Sequence, residues 1–236
     1  MSDTSRHRAG DSAELSGALS EGPLVTEGPG LLVMDVDSTL IEQEVIELIA
    51  ERAGTRELVA EVTARAMRGE LDFAASLRER VATLAGVPQG VFEEVLAEVR
   101  PTQGAAELVE ALHARGCRVG VVSGGFEEVV VPLAERLGID HVAANRLEVE
   151  GGRLTGRVLG RIVDRQEKVR CLISWAQQDG VPMERTIAVG DGANDLGMLE
   201  AAGLGVAFCA KPVVVEQADA AIHVRDLRAV LQLVGG

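Results

Sequence analysis

Leu31-Leu32-Val33-Met34-Asp35-Val36-Asp37-Ser38-Thr39-Leu40 is the stretch whose reading decides the fold. Four apolar residues between Gly30 and the first acid read as a buried strand, too short for a helix. In extended chain, residues two apart share a face, so Asp35 and Asp37 leave the strand end on the same side. In an open α/β sheet the ligand crevice lies outside the carboxyl ends of the strands, where these acids fall. Two carboxylates so placed suit a nucleophile, a proton donor and a hard cation beside a phosphate. An isolated D-x-D is more often a strand-end turn with solvated acids, so the decision rests on its company further along the chain.

Downstream, apolar residues at Ile41, Val45, Ile46, Leu48 and Ile49 form a helical stripe that Gly54 ends. Helices are expected again over 55–68, 72–85 and 88–99, started by Thr55, Asp72 and Pro88, with stops at Gly69 and Gly86. Four helices with no strand among them read as an inserted cap, 43–100. From Pro101 helix and strand alternate, as in a parallel sheet covered on both faces. Strands are expected over 117–122, 141–149, 153–159, 186–189, 204–208 and 220–224. The second and third of these should form a hairpin through Gly151-Gly152. The expected architecture is therefore a doubly wound, Rossmann-like parallel α/β core, 30–42 and 101–236, carrying a helical cap. Residues 1–29, rich in Ser, Gly, Glu and Asp, are expected to form a mobile tail. That tail is too short for a regulatory domain by size.

With 236 residues, 47% hydrophobic and 25% charged, the chain has the composition of a globular protein with a good core. A net charge of −14 argues against nucleic acid, which needs a basic surface, and four Phe, one Trp and no Tyr leave little for bases to stack on. A phosphate pocket in such a chain must be locally positive within a negative surface. Cys117, Cys171 and Cys209 are far apart, lie in or beside apolar segments and read as buried thiols. No apolar run approaches the ~20 residues of a membrane span, and the N-terminus has no signal-peptide core, so a cytoplasmic protein is expected.

Three more segments carry chemistry. Ser123-Gly124-Gly125 closes a strand before a helix, where a hydroxyl, close backbone approach and free N–H groups could hold an anion. Lys168 falls near the start of a helix, where a cation gains nothing from the helix dipole. Beside two aspartates and a dianionic phosphate it would supply the fixed positive partner. Gly190-Asp191-Gly192-Ala193-Asn194-Asp195 follows another strand, so Asp191 could complete the oxygen shell of a magnesium ion with Asp35. Asn194 and Asp195 could bind metal waters or orient Lys168, and Asp195 could also cap the next helix.

The segments DVDSTL, VVSGGF, the lysine of DRQEK and GDGANDLGML, in that order with a helical cap after the first, resemble the haloacid-dehalogenase superfamily of phosphohydrolases. SGGF, the position of Glu44, and the stretch from Leu71-Asp72-Phe73 to Arg80 resemble the branch that hydrolyses O-phosphoserine, the last step of serine biosynthesis. The resemblance implies that Asp35 is the nucleophile that becomes an aspartyl phosphate. It implies that Asp37 protonates the departing serine oxygen and then takes a proton from water. Magnesium would be held by the carboxylates of Asp35 and Asp191 and the backbone carbonyl of Asp37. Ser123, the Gly124 N–H and Lys168 would bind phosphate, supported by Asn194 and Asp195. Glu44 and Arg80 would hold the substrate's ammonium and carboxylate, and Met67 and Phe73 would close the pocket. The protein would act as a monomer or homodimer.

An Asp rather than a Thr two residues after the nucleophile favours hydrolysis over a persistent phosphoenzyme. Two rival readings remain: a phosphotransferase passing the phosphoryl group to an alcohol such as homoserine, and a non-catalytic binding protein on the same fold.

Overall fold

The computed structural model describes residues 15–234, the side chain of Met67 excepted. In chain order, β1 (Leu15–Ser16) and α1 (Pro23–Thr26) precede β2 (Leu31–Met34). The helices α2 (Val45–Ala53), α3 (Arg56–Met67), α4 (Phe73–Ala82) and α5 (Val91–Glu98) follow with no strand between them. Alternation then begins with α6 (Ala105–Ala114), β3 (Arg118–Phe126), α7 (Glu127–Leu137) and the hairpin β4 (His141–Glu150) and β5 (Arg153–Leu159). It continues through α8 (Arg165–Gln178), β6 (Thr186–Gly190), α9 (Leu196–Ala201), β7 (Leu204–Phe208), α10 (Pro212–Val215), β8 (Ala220–Ile222) and α11 (Ala229–Leu233).

The sheet order is β1-β8-β7-β6-β2-β3-β4-β5. The six strands from β8 to β4 run parallel, while β1 and β5 are antiparallel to their neighbours. From β2 the chain moves out to β3 and β4, then returns to β6 on the other side. The switch point therefore lies at the carboxyl end of β2, the position where α/β sheets open a crevice. All four residues of β2 have no exposed surface, as expected of a strand covered on both faces. Leu31 and Val33 join the cluster of Leu172, Ala176 and Leu199, whereas Leu32 and Met34 join the opposite core with Leu108, Val119 and Val189.

Side-chain caps set the starts of two helices. Asp72 caps α4 by accepting the Ala75 N–H at 2.7 Å, and Asp164 caps α8 by accepting the Glu167 N–H at 2.8 Å. The two connections to the inserted helices pair with each other: Glu42 N–H donates to Arg100 O, and Ile41 bridges Pro101. A third tie comes from the hairpin, where Leu154 N–H donates to Val87 O and Gln89 N–H donates to Gly152 O.

Two expectations need correction. Residues 1–14 lie outside the described residues, but 15–29 do not form a free tail. β1 pairs with β8, Leu19 N–H donates to Leu233 O, and Leu24 is buried. A few apolar anchors spaced along a polar segment can dock on a sheet edge although the segment has no periodic stripe. The strand expected to stop at Ser123 also continues through Phe126, with a register shift against β4 after Val122. Gly124 and Gly125 thus sit in a distorted strand end, and α7 starts only at Glu127.

The thiols are free; Cys117 is buried, and Cys171 and Cys209 are half-buried. Burial pushes Cys117 up to about 12. Among the described residues no helix is long and apolar enough to cross a membrane.

Candidate active site

Asp35 follows β2, Ser123 lies near the end of β3 and Asp191 follows β6, so three adjacent parallel strands deliver their polar ends to one crevice. The crevice is a cavity of about 190 Å³. From the sheet side it is lined by Asp35, Asp37, Gly124, Gly125, Asp191, Gly192, Asn194 and Lys211. Glu44, Ile46, Phe73, Leu77 and Arg80 line it from the inserted segment. A space of this size suits a ligand smaller than a typical drug-sized molecule.

Lys168, on the first turn of α8, is fully buried, and its Nζ donates to Asp35 Oδ1 and Asp195 Oδ1, both at 2.6 Å. Burial pulls its pKa down, but the two carboxylates outweigh that and hold it above its ordinary value, so it is a fixed cation. Burial and the Asp195 charge push Asp35 well above the usual carboxylate range, against the pull of Lys168. With Oδ1 taken by Lys168, Asp35 Oδ2 has no protein hydrogen-bond partner among the described residues.

Asp37 Oδ1 accepts the N–H of Val45, the first residue of α2, at 2.9 Å, which ties it to the inserted segment. Burial and then the Glu44 charge raise its pKa to about 7, a value suited to giving and taking a proton near neutrality. Asp191, next to Thr39 Oγ1 at 3.4 Å, is raised to about 6 by burial and by the Asp195 charge. Carboxylate oxygens of Asp35, Asp191 and Asp195 lie within 4.8 Å of one another. Hard oxygen donors gathered this closely, with Asp35 and Asp191 pushed up by burial and by the Asp195 charge, fit a divalent cation. Both Asp195 oxygens are already engaged, Oδ1 by Lys168 and Oδ2 by the Gly192 N–H at 3.0 Å, which leaves Asp35 and Asp191 as the available carboxylates. Asp195 also begins α9, but its side chain makes no cap bond to that helix. Gly190 is required here, because a side chain at that position would overlap the Asp195 carboxylate.

Ser123 is buried and its Oγ accepts the Gly125 N–H at 2.8 Å, 3.5 Å from Asp37 Oδ2. A side chain on Gly124 would meet the Phe73 ring, so the inserted segment rests directly on this backbone. Arg80 is half-buried; burial holds its guanidinium below its ordinary value while Glu44 and Asp37 pull the other way. It has no ion-pair partner among the described residues, and its Nε reaches only Ser76 O at 3.3 Å. Of the expected site residues, Asp35, Asp37, Glu44, Phe73, Arg80, Gly124, Asp191 and Asn194 line this cavity, Lys168 and Asp195 form the network behind it, and Ser123 lies beside it, bonded to the Gly125 N–H and facing Asp37. Met67 ends α3, and its side chain lies outside what is described.

Several residues of the site went unread in the sequence. Asn145 is fully buried in β4 and donates to Gly124 O at 2.9 Å while accepting the Val163 N–H at 2.9 Å, which fixes the glycine peptide. The signal was there: one polar residue after two alanines in a strand needs a partner if buried. Thr39, Ser38 and Lys211 also touch or line the site.

A crevice at the switch point of a parallel sheet, holding paired aspartates, a buried lysine and a glycine-backed serine, defines a hydrolase of phosphate esters by its chemistry. The family model for haloacid dehalogenase-like hydrolases matches residues 32–200, and the chain belongs to that family. It is 55% identical over 209 residues to the phosphoserine phosphatase of Streptococcus thermophilus, covering 89% of this chain and 97% of that one. Among solved structures, a phospho-aspartyl intermediate analogue of phosphoserine phosphatase matches with a TM-score of 0.82 and 45% identity, over 87% of this chain and 99% of that one. A substrate-bound phosphoserine phosphatase complex matches with a TM-score of 0.82 and 44% identity, over 87% and 98%.

Proposed function

We propose that this protein hydrolyses O-phosphoserine to serine and phosphate through an aspartyl phosphate on Asp35. The observation that carries the reading is the pairing of two kinds of group in one small cavity. Asp35, held by Lys168 with one oxygen unengaged, and Asp37, able to exchange a proton near neutrality, supply the chemistry. Glu44 and Arg80, opposite charges on the same cavity without an ion pair to each other, suit a zwitterionic amino-acid group. The names of the relatives support the same substrate.

In the first step one carboxylate oxygen of Asp35 attacks phosphorus while the other is left for the cation, the bond from phosphorus to the serine oxygen breaks, and Asp37 gives its proton to that oxygen. In the second, Asp37 as carboxylate takes a proton from water, whose oxygen attacks phosphorus and expels the Asp35 carboxylate. Lys168 stays charged throughout and offsets negative charge on the transferring group, while Ser123 Oγ and the Gly124 N–H hold its oxygens. Asn194 and Asp195 support this arrangement, Asp195 by fixing Lys168. The cation that fits Asp35 and Asp191, with the Asp37 carbonyl, is magnesium, which would neutralise the ester before attack. The inserted segment, 43–100, acts as a cap, with Phe73 closing over the substrate.

A panel of small phosphomonoesters assayed with magnesium tests the reading. O-phosphoserine should give the highest kcat/KM and release free phosphate even when homoserine is present. Preference for another ester, or phosphorylated homoserine as the main product, would overturn it.

A further inference from the structure

Ser38 carries a conformation that its residue type does not favour. Its φ is 58° and ψ is 2°, the left-handed region, which glycine, asparagine and aspartate occupy more readily than serine. Three hydrogen bonds hold it there. Its N–H donates to Gln43 O at 3.2 Å, its carbonyl accepts from Arg225 Nη1 at 3.1 Å, and its Oγ–H donates to Glu44 Oε1 at 2.8 Å. The backbone bonds would be made equally by glycine. Only the last bond needs the serine side chain, and it ends on a cavity carboxylate.

Glu44 needs such a restraint. It lies at the start of α2, is exposed, and lines the same cavity as Arg80. The guanidinium of Arg80 feels the Glu44 charge, yet no ion pair joins them among the described residues. A free glutamate could swing toward that guanidinium, and the two would then neutralise each other in place of a zwitterion. Held by Ser38 on Oε1, Glu44 keeps Oε2 available and does not have to be immobilised when the substrate arrives.

We propose that Ser38 is a positioning residue that sets the preference for a substrate ammonium by clamping Glu44 away from Arg80. This rests on the reading above that Glu44 meets that ammonium. The left-handed strain at Ser38 is the cost of aiming the hydroxyl, in a loop where glycine would be the relaxed choice.

The test compares Ser38→Ala and Ser38→Gly with Glu44→Gln on O-phosphoserine and on the otherwise identical ester lacking the α-amine. Both Ser38 variants should raise KM for O-phosphoserine by about three- to tenfold, the scale of immobilising one side chain on binding. kcat should change far less, and the preference over the amine-free ester should shrink by the same factor as KM rises. Ser38→Gly should melt no lower than the unaltered protein, because glycine relieves the backbone. Equal losses on the two esters, or none on either, would overturn the proposal and leave Ser38 a backbone residue only. If Glu44→Gln abolishes the preference while both Ser38 variants retain it, the clamp alone is wrong. If Glu44→Gln retains it, the substrate reading itself falls and the clamp with it.

Discussion

Replacing Lys168 with Met removes a buried ammonium and keeps most of the side-chain volume. Its Nζ sits 2.6 Å from carboxylate oxygens of both Asp35 and Asp195, and the side chain has no exposed surface, so solvent does not screen the pair. Loss of the cation leaves two buried carboxylates facing one another with Asp191 close by. Breaking a buried ion pair by deleting one partner costs about 3–5 kcal/mol. For a chain of this length each kcal/mol moves the melting temperature by about 2–4 °C, so a fall of about 6–20 °C is expected in metal-free protein at about pH 8. The sign of the pH dependence follows from Asp35. Its pKa is already raised by burial and Asp195, and Lys168 is the main group lowering it, so the variant raises it further. A carboxyl whose folded pKa is raised destabilises the fold above that pKa, and the penalty fades as pH falls toward the unfolded value. The gap between variant and parent should therefore narrow between about pH 8 and about pH 5.5. Turnover should fall by at least about 10²-fold, the scale for removing one preorganised charge stabiliser. Differential scanning calorimetry at the two pH values reads the stability arm. A loss below about 1 kcal/mol at pH 8, the range of a solvated surface pair, would refute the buried network.

Arg80→Ala should lower kcat/KM for O-phosphoserine by about 30- to 150-fold, equivalent to about 2–3 kcal/mol for a charge-assisted carboxylate contact. O-phosphoethanolamine, which lacks the carboxylate, should lose much less, and equal losses would show that Arg80 is structural. Metal-free protein should melt higher at about pH 5.5 than at about pH 8, because Asp37 and Asp191, raised to about 7 and about 6, take up protons on folding in that window. Magnesium should stabilise more at the higher pH and release protons on binding, and Asp191→Asn should shrink both effects; a metal response independent of pH would contradict the assignment.

The fold was legible wherever one physical rule dominates. The run from Leu31 to Met34 could only be a strand covered on both faces, and the stripes after it could only be helices. Two parts escaped because pattern carries little information there. Leu15, Leu19 and Leu24 have no shared period, so composition suggested a free tail although each finds a place on the sheet edge or core. Gly124 and Gly125 read as a strand stop, whereas β4 pairing continues past them after a shift in register. Asp35, Ser123, Lys168 and Asp191 could be grouped from sequence because their strand and helix ends face one crevice in any doubly wound sheet. Asn145 could be read as needing a partner, but neither it nor Ser38 could be placed in the site. Their contributions are hydrogen bonds to Gly124 and Glu44 whose partners depend on loop conformation and on pairing across the sheet. The positive φ of Cys209, at 46°, could not be read from the sequence, because cysteine has no preference for that region.

The most direct test of the account is to find the phosphoryl group on the enzyme. In Asp37→Asn protein, attack by Asp35 should persist slowly while hydrolysis of the intermediate, which lacks its base, slows more. A single turnover with O-phosphoserine and magnesium, acid-quenched and read by peptide mass spectrometry, should place one hydroxylamine-labile phosphoryl group on Asp35. It should be absent when Asp35→Asn is introduced as well. A phosphoryl group on any other residue, or free phosphate produced at undiminished rate by Asp35→Asn protein free of deamidation, would contradict the account.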